Sequence, residues 1–224
     1  KGIYSTASNN LVENICDDGT RGLANYCKFE YNTVQNMYVT NDNHDDLFQS
    51  WSGGTAEKPV TGSDTVIGVE IRGNKFIAHT STKQPLMTYP MGIDCFDGFA
   101  KDWIIENNLV SVEDYHGITL LGAINCKIVN NTIVQNPYTL DVIRVPAITI
   151  SKHKTRGFSK GNLIRNNLTP KLTIDEGAGV EDHNMILLGY RSGFVDYLKL
   201  DLHLKPKSKA LNAGSEQGTP DIDI

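Results

Sequence analysis

An asparagine recurs along this chain with an apolar residue three positions before it and another two positions after it. CKFEYNTVQN, beginning at Cys27, and CKIVNNTIVQN, beginning at Cys126, place Cys, Lys and an apolar residue at one spacing from Asn32 and Asn131. ASNNLV at Asn10, IRGNKF at Asn74, IENNLV at Asn108 and IRNNLT at Asn167 carry the same skeleton. Phe29, Ile71, Ile105, Ile128 and Ile164 stand three residues before the last five asparagines, and Val34, Phe76, Val110, Ile133 and Thr169 stand two after; only Thr169 breaks the apolar column. From Asn10 the intervals are 22, 42, 34, 23 and 36 residues. They read as a repeat of about 22 residues with loop insertions in three turns. Alternation interrupted by a bend fits a short strand, a turn and another short strand, and fits no helical period.

A second column lies about 11 residues upstream of each asparagine. Its strands read DGTRGL from Asp18, DLFQSW from Asp46, MGIDCF from Met91, HGITLL from His116 and PAITIS from Pro146. By alternation Thr20, Phe48, Ile93, Ile118 and Ile148 form one inward column, and Gly22, Ser50, Cys95, Leu120 and Ile150 the next. Arg21, Gln49, Asp94, Thr119 and Thr149 then point outward.

Composition agrees with a turn-rich β protein. Asn and Gly each supply 20 of the 224 residues and charged residues only 21%, which argues against a helical bundle, a coiled coil and a disordered tail. A net charge of −5 without clustered Lys and Arg speaks against nucleic acid as a partner. No apolar run approaches the roughly 20 residues of a membrane-spanning helix, so no membrane partner is expected. The chain starts in mid-pattern at Lys1 and reads as an excised piece. Cys16, Cys27, Cys95 and Cys126 form neither a C-x-x-C pair nor a dense disulfide framework. Cys27 and Cys126 occupy equivalent positions three turns apart, too far for a disulfide, and are expected in the core. The N-x-T triplets at Asn130 and Asn167 fall inside the repeat, which argues against glycosylation.

Stacked turns of this length, with an apolar column in each strand and Asn at the bend, resemble the right-handed parallel β-helix. This is the pectate-lyase-like fold of polysaccharide lyases, polygalacturonases and phage tail-spike depolymerases. The resemblance covers roughly residues 1–185 and implies an all-β solenoid of about six or seven turns, in which the asparagines bond one another in a ladder from coil to coil. Residues 186–224 lose the pattern and resemble the C-terminal capping segment of such enzymes.

Loop insertions in solenoids line the binding surface. They flank the outward residues on both sides, making those residues the floor of a groove. The richest segment is NDNHDDLFQSW, residues 41–51, where Asp42, His44, Asp45 and Asp46 crowd one bend before Gln49 and Trp51. Asp94, Phe96 and Asp97 lie on the next turn, Tyr115 and His116 on the one after, and Asp17, Asp18 and Arg21 on the one before. Carboxylates, histidine and arginine beside aromatic rings suit an acidic sugar chain. A uronic-acid lyase would use a base such as His44, His116 or Arg21, with cations or a Ca²⁺ held by Asp45, Asp46 and Asp94 neutralising the substrate carboxylate. A hydrolase would use two carboxylates among Asp45, Asp46, Asp94 and Asp97. HDD at 44–46 and YHGITLLG at 115–122 resemble the Asp-Asp and Gly-His-Gly motifs of β-helical polygalacturonases; that family's Asn-Thr-Asp and Arg-Ile-Lys motifs are absent.

The leading expectation is a secreted or virion-borne protein that cleaves or modifies an acidic polysaccharide as lyase, hydrolase or epimerase. His44, Asp45, Asp46, Asp94 and His116 would be catalytic, and Arg21, Gln49, Trp51, Phe96, Asp97, Tyr115 and Thr119 would bind substrate. The alternative is a non-catalytic glycan-binding or structural β-helix, such as an adhesin or a tail-spike fragment; a tail-spike origin implies a parallel homotrimer. Asp17, Asp18 and Asp46, each just before a strand, also suit plain turn-making roles. His79, His153, His183 and His203 are expected in surface loops, and the Lys152–Lys154 run with Arg156 in a solvated loop along the groove wall.

Overall fold

A computed structural model describes residues 4–38, 40, 42–54, 59–138, 144–187 and 191–220. Three long sheets, all parallel, share the chain among them. One contains Thr6–Ser8, Lys28–Glu30, Glu70–Arg72, Ile104–Glu106, Lys127–Val129, Asn162–Arg165 and Gly179–Asp182, in that order. A second contains Leu11–Ile15, Thr33–Met37, Lys75–Ile77, Leu109–Val112, Thr132–Gln135, Leu168–Thr169 and Met185–Ile186. The third contains Thr20–Arg21, Asp46–Trp51, Met91–Asp97, His116–Leu121, Ala147–Ser151 and Leu172–Ile174. The chain visits the three in rotation, so each strand pairs with its counterpart one circuit later. This succession is compatible with a parallel β-helix.

The register reproduces the columns read from the sequence. Phe29 pairs with Ile71, Ile71 with Ile105, Ile105 with Ile128, and Ile128 with Ile164. Phe48 pairs with Ile93, Ile93 with Ile118, and Ile118 with Ile148. Phe76, which pairs with both Val34 and Val110, continues to Ile133 through Val110. The three columns meet in one core, where the Phe48 ring stands edge-on to Phe29 at 5.0 Å and to Trp103 at 6.5 Å. Burying each such side chain contributes about 1.5–3 kcal/mol, and stacking identical positions keeps the core continuous.

At the corner between the first two sheets runs the asparagine ladder. The side-chain amide of each ladder residue donates to the oxygen of the next, from Asn10 through Asn32, Asn74, Asn108, Asn131 and Asn167 to Asn184, at 2.8–3.0 Å. Asn184 is a seventh rung outside the six recognised in the sequence. The residue before each rung is left-handed: Asn9, Tyr31, Gly73, Asn107, Asn130, Asn166 and His183 have φ between 52° and 62°. Glycine and asparagine tolerate that conformation best, which explains the recurrent Asn-Asn and Gly-Asn pairs. Asn167 is fully buried and bonded as a rung, so its N-x-T triplet is structural.

Cys27, Cys95 and Cys126 are buried, Cys16 is exposed, and no disulfide joins any of the four. Two histidine expectations are corrected. His79 is fully buried, its Nε2 donating to Thr88 O at 2.7 Å, and His153 is buried with its ring stacked on Phe99. Both were drawn from loops into the body by insertions that fold back on it. His183 and His203 are exposed. Within 186–224, residues 188–190 and 221–224 lie outside the described residues; the described part runs along the flank of the second sheet. Phe194 and Tyr197 cluster with Val134 and Leu187, and the Tyr197 hydroxyl donates to Gln135 O. Farther on, Asn166 and Ser215 bond each other twice, through Asn166 Nδ2 to Ser215 O and Ser215 N to Asn166 Oδ1.

Candidate functional site

Arg21, Gln49, Asp94, Thr119 and Thr149 stand in one register on the third sheet, as alternation requires. The middle of this column is buried. Asp94 and Thr119 have no solvent exposure, and neither does Asp46 at the start of its strand. Above them lies an aromatic layer in which the Phe96 ring is flanked edge-on by His44 at 6.3 Å and by His116 at 5.0 Å. His116 Nδ1 lies 2.9 Å from Thr119 Oγ1, and His44 Nδ1 lies 3.4 Å from Asp46 Oδ2. Gln49 Nε2 donates to the same Asp46 oxygen at 2.5 Å.

The carboxyl groups under this layer are short of partners. Asp46 Oδ1 and Asp45 Oδ1 have none, and neither Asp94 oxygen has one with hydrogen-bond geometry among the described residues, although Thr119 and Asp46 are its polar neighbours. A buried carboxylate without donors is costly, so the neutral form is favoured. Burial, reinforced by Asp18, pushes the Asp46 carboxyl up to about 8. Burial and the nearby Asp46 hold Asp94 well above the usual carboxylate range. Asp45 is raised by burial and by Asp17 and Asp18. Burial lowers the His116 imidazole, keeping it neutral at pH 7. The site therefore sets neutral imidazole at the surface over protonated carboxyl beneath it.

Around this centre the polar groups divide into inter-strand ties and groove walls. Asp18 accepts the Asp46 backbone N–H at 3.1 Å and holds Arg21 Nε at 2.8 Å, while Asp17 takes Arg21 Nη2 at 3.0 Å. Asp18 thus ties its strand to the next circuit of the chain. Arg21 also lies 5.7 Å from the centre of the Trp51 ring. Asp97 is half exposed and paired with Lys154 at 3.0 Å, and Lys154 sits over Phe96. Two adjoining cavities of 310 and 190 Å³ share His44 and Gln49; Asp42 and Arg21 lie in the first, and Trp51, Phe96 and Asp97 in the second. Gly117 of the HGITLL strand is required by packing, because an added Cβ would lie 2.8 Å from Ile133 Cγ2 and 2.9 Å from Ala147 O.

Not every predicted residue is able to meet a ligand directly. His44, His116, Gln49, Trp51, Phe96, Asp97, Tyr115 and Arg21 reach the groove surface, whereas Asp45, Asp46, Asp94 and Thr119 lie beneath it. Among the described residues no three His, Cys, Asp or Glu side chains are grouped as a metal ion requires, Asp45, Asp46 and Asp94 included. The residues present do not fit a Ca²⁺ site built from that trio. Asp114, Tyr89 and Arg144 extend the groove beyond His116 and were not singled out in the sequence. Asp114 stands two residues before the expected strand at His116, a signal that was available; Tyr89 and Arg144 come from insertions without register. Two larger cavities, of 590 and 550 Å³, lie under the C-terminal segment around Asn130 and Thr132 and contain none of the clustered aspartates.

Comparison of the chain with protein-family models, with curated proteins and with solved structures gave no match.

Proposed function

We propose that this chain is a right-handed parallel β-helix of the pectate-lyase-like class that binds an acidic polysaccharide along the groove of its third sheet and acts on it by proton transfer. The observation that carries the reading is the placement of His44 and His116 edge-on to Phe96, above the buried Asp46 and Asp94. A neutral His116 suits abstraction of the proton α to a uronate carboxylate. In β-elimination that C–H bond breaks, a C=C bond forms, and the glycosidic C–O bond breaks with its electron pair leaving on oxygen. His44, whose Nδ1 lies 3.4 Å from Asp46 Oδ2, would return a proton to that oxygen. Hydrolysis is the weaker reading, because its two carboxyls must touch the glycosidic oxygen and the attacking water, and of its four candidates Asp45, Asp46 and Asp94 are buried, which leaves Asp97 alone at the surface. Abstraction followed by reprotonation without elimination would be epimerisation at the same residues.

A second reading, a non-catalytic glycan-binding β-helix in a secreted or virion-borne protein, draws support from the closure of Asp46 and Asp94 beneath the floor. Incubation with a panel of acidic polysaccharides, with and without Ca²⁺, separates the two. Ultraviolet absorbance from an unsaturated product together with new reducing ends supports elimination. Reducing ends alone point to hydrolysis, and binding with neither signal favours the non-catalytic reading.

A further inference from the structure

Arg144 lies next to His116. It precedes the strand Ala147–Ser151, whose first residue pairs with His116, and its backbone is pinned by Gln135 Nε2 donating to Arg144 O at 3.1 Å. Its guanidinium lies 5.5 Å from the centre of the Tyr89 ring and 5.6 Å from that of Tyr115. One edge is fixed by Asp114, whose Oδ2 accepts Nη1 at 2.6 Å while its Oδ1 accepts the His116 backbone N–H at 3.3 Å. Asp114 is 4% exposed, whereas the Arg144 side chain is 42% exposed. The same buried carboxylate therefore holds both the cation and the backbone of His116.

An arginine used only to neutralise Asp114 would need neither ring. Here two aromatic rings and a carboxylate hold a planar fork in place, and among the described residues only its Nη1 is bonded. Guanidinium forks bind planar carboxylates through paired hydrogen bonds, and holding the fork in advance reduces the ordering needed on binding. Tyr89 and Tyr115 are each about half exposed, 46% and 56%, and offer apolar faces to a sugar ring beside the fork.

We infer that Arg144, held by Asp114 between Tyr89 and Tyr115, is a subsite that reads the carboxylate of a uronic acid residue bound beside His116. The inference rests on the proposed function, since it names how the same groove recognises its substrate. It makes Arg144 a specificity residue and Asp114 a positioning residue.

The test measures binding of uronate tetrasaccharides, namely oligogalacturonate, oligomannuronate and oligoguluronate, and of their carboxyl-reduced neutral counterparts, to the full chain and to its variants. The wild type should bind at least one uronate and bind its reduced form roughly 10- to 100-fold more weakly, the loss expected for one charge-assisted contact. Arg144→Gln should remove that discrimination. Arg144→Lys keeps the charge opposite Asp114 without the fork and should recover only part of it. If Arg144→Gln lowers the thermal midpoint so far that binding cannot be read, Tyr89→Leu, which leaves the Asp114 pair intact, should still weaken uronate binding. Undiminished preference for the uronate in folded Arg144→Gln would overturn the subsite and leave the polysaccharide reading standing. Failure of the wild type to bind any uronate in the panel would overturn both.

Discussion

Replacing Asn108 by alanine removes the middle rung of the ladder on which the stacked coils depend. Its side-chain amide donates to Ile71 O at 2.8 Å and to Asn131 Oδ1 at 3.0 Å; its oxygen accepts the Asn74 backbone N–H at 2.9 Å and the Asn74 amide at 3.0 Å. The residue is 2% exposed, so water does not replace these partners. Four bonds at a net value of about 1 kcal/mol each, plus about 1–3 kcal/mol for leaving the Asn74 N–H unsatisfied, give a loss of about 5–7 kcal/mol. That is comparable to the whole stability of many domains, about 5–15 kcal/mol. The first rung supplies the control: Asn10 is exposed and its amide donates to Ser8 O and Asn32 Oδ1 within reach of solvent. Asn10→Ala should cost less than about 1 kcal/mol. Asn108→Asp preserves shape but turns two donors into acceptors facing Ile71 O and Asn131 Oδ1, and should cost at least as much as Asn108→Ala. Urea unfolding followed by far-ultraviolet circular dichroism measures all three. Equal and small losses at Asn108 and Asn10 would refute the ladder as the carrier of stability.

The acidic site makes a prediction of opposite sign. The Asp46 carboxyl is raised to about 8 from an ordinary value of 3.8, so the folded protein holds a proton that the unfolded chain releases. Its contribution is fully present below about pH 4 and is lost as pH rises through about 8. Asp46→Asn should therefore be more stable than wild type at pH 8 and lose much of that advantage near pH 4.5, by several kcal/mol in all; parallel stability curves across this range would contradict it. At Tyr31, half exposed and left-handed at φ 57° where the other rungs are preceded by Asn, Gly or, once, His, Tyr31→Asn should stabilise the protein by about 0.5–1 kcal/mol. A lower thermal midpoint in that variant would show that the Tyr31 side chain makes a compensating contact.

Much of the architecture was legible because a stacked repeat writes its register into the sequence. Once Phe29, Ile71, Ile105, Ile128 and Ile164 were aligned on the asparagines, the sheet positions of Gln49, Asp94 and Thr119 followed by alternation, and the structure pairs them as expected. Asn184 was missed because its coil is only 17 residues long after Asn167 and its flanking apolar pattern is weak. The site was less legible because depth is a tertiary property. Alternation says that Asp94 and Thr119 point outward from the sheet, but not that Phe96, His44 and His116 close over them. Insertions carry no register at all, so Arg144, brought beside His116 by Asp114, and His79, drawn into the interior, had no periodic signal.

In the proposed function His116 acts as a base on an acidic sugar chain. Its most direct test is the initial rate at which the wild type and His116→Ala generate unsaturated product from an acidic polysaccharide that both bind, measured at pH 7. Loss of a positioned general base lowers a rate by about 10²–10⁴-fold. The account predicts a fall of that size with binding retained. An unchanged rate in His116→Ala, or a wild type that releases reducing ends without unsaturation, would contradict it.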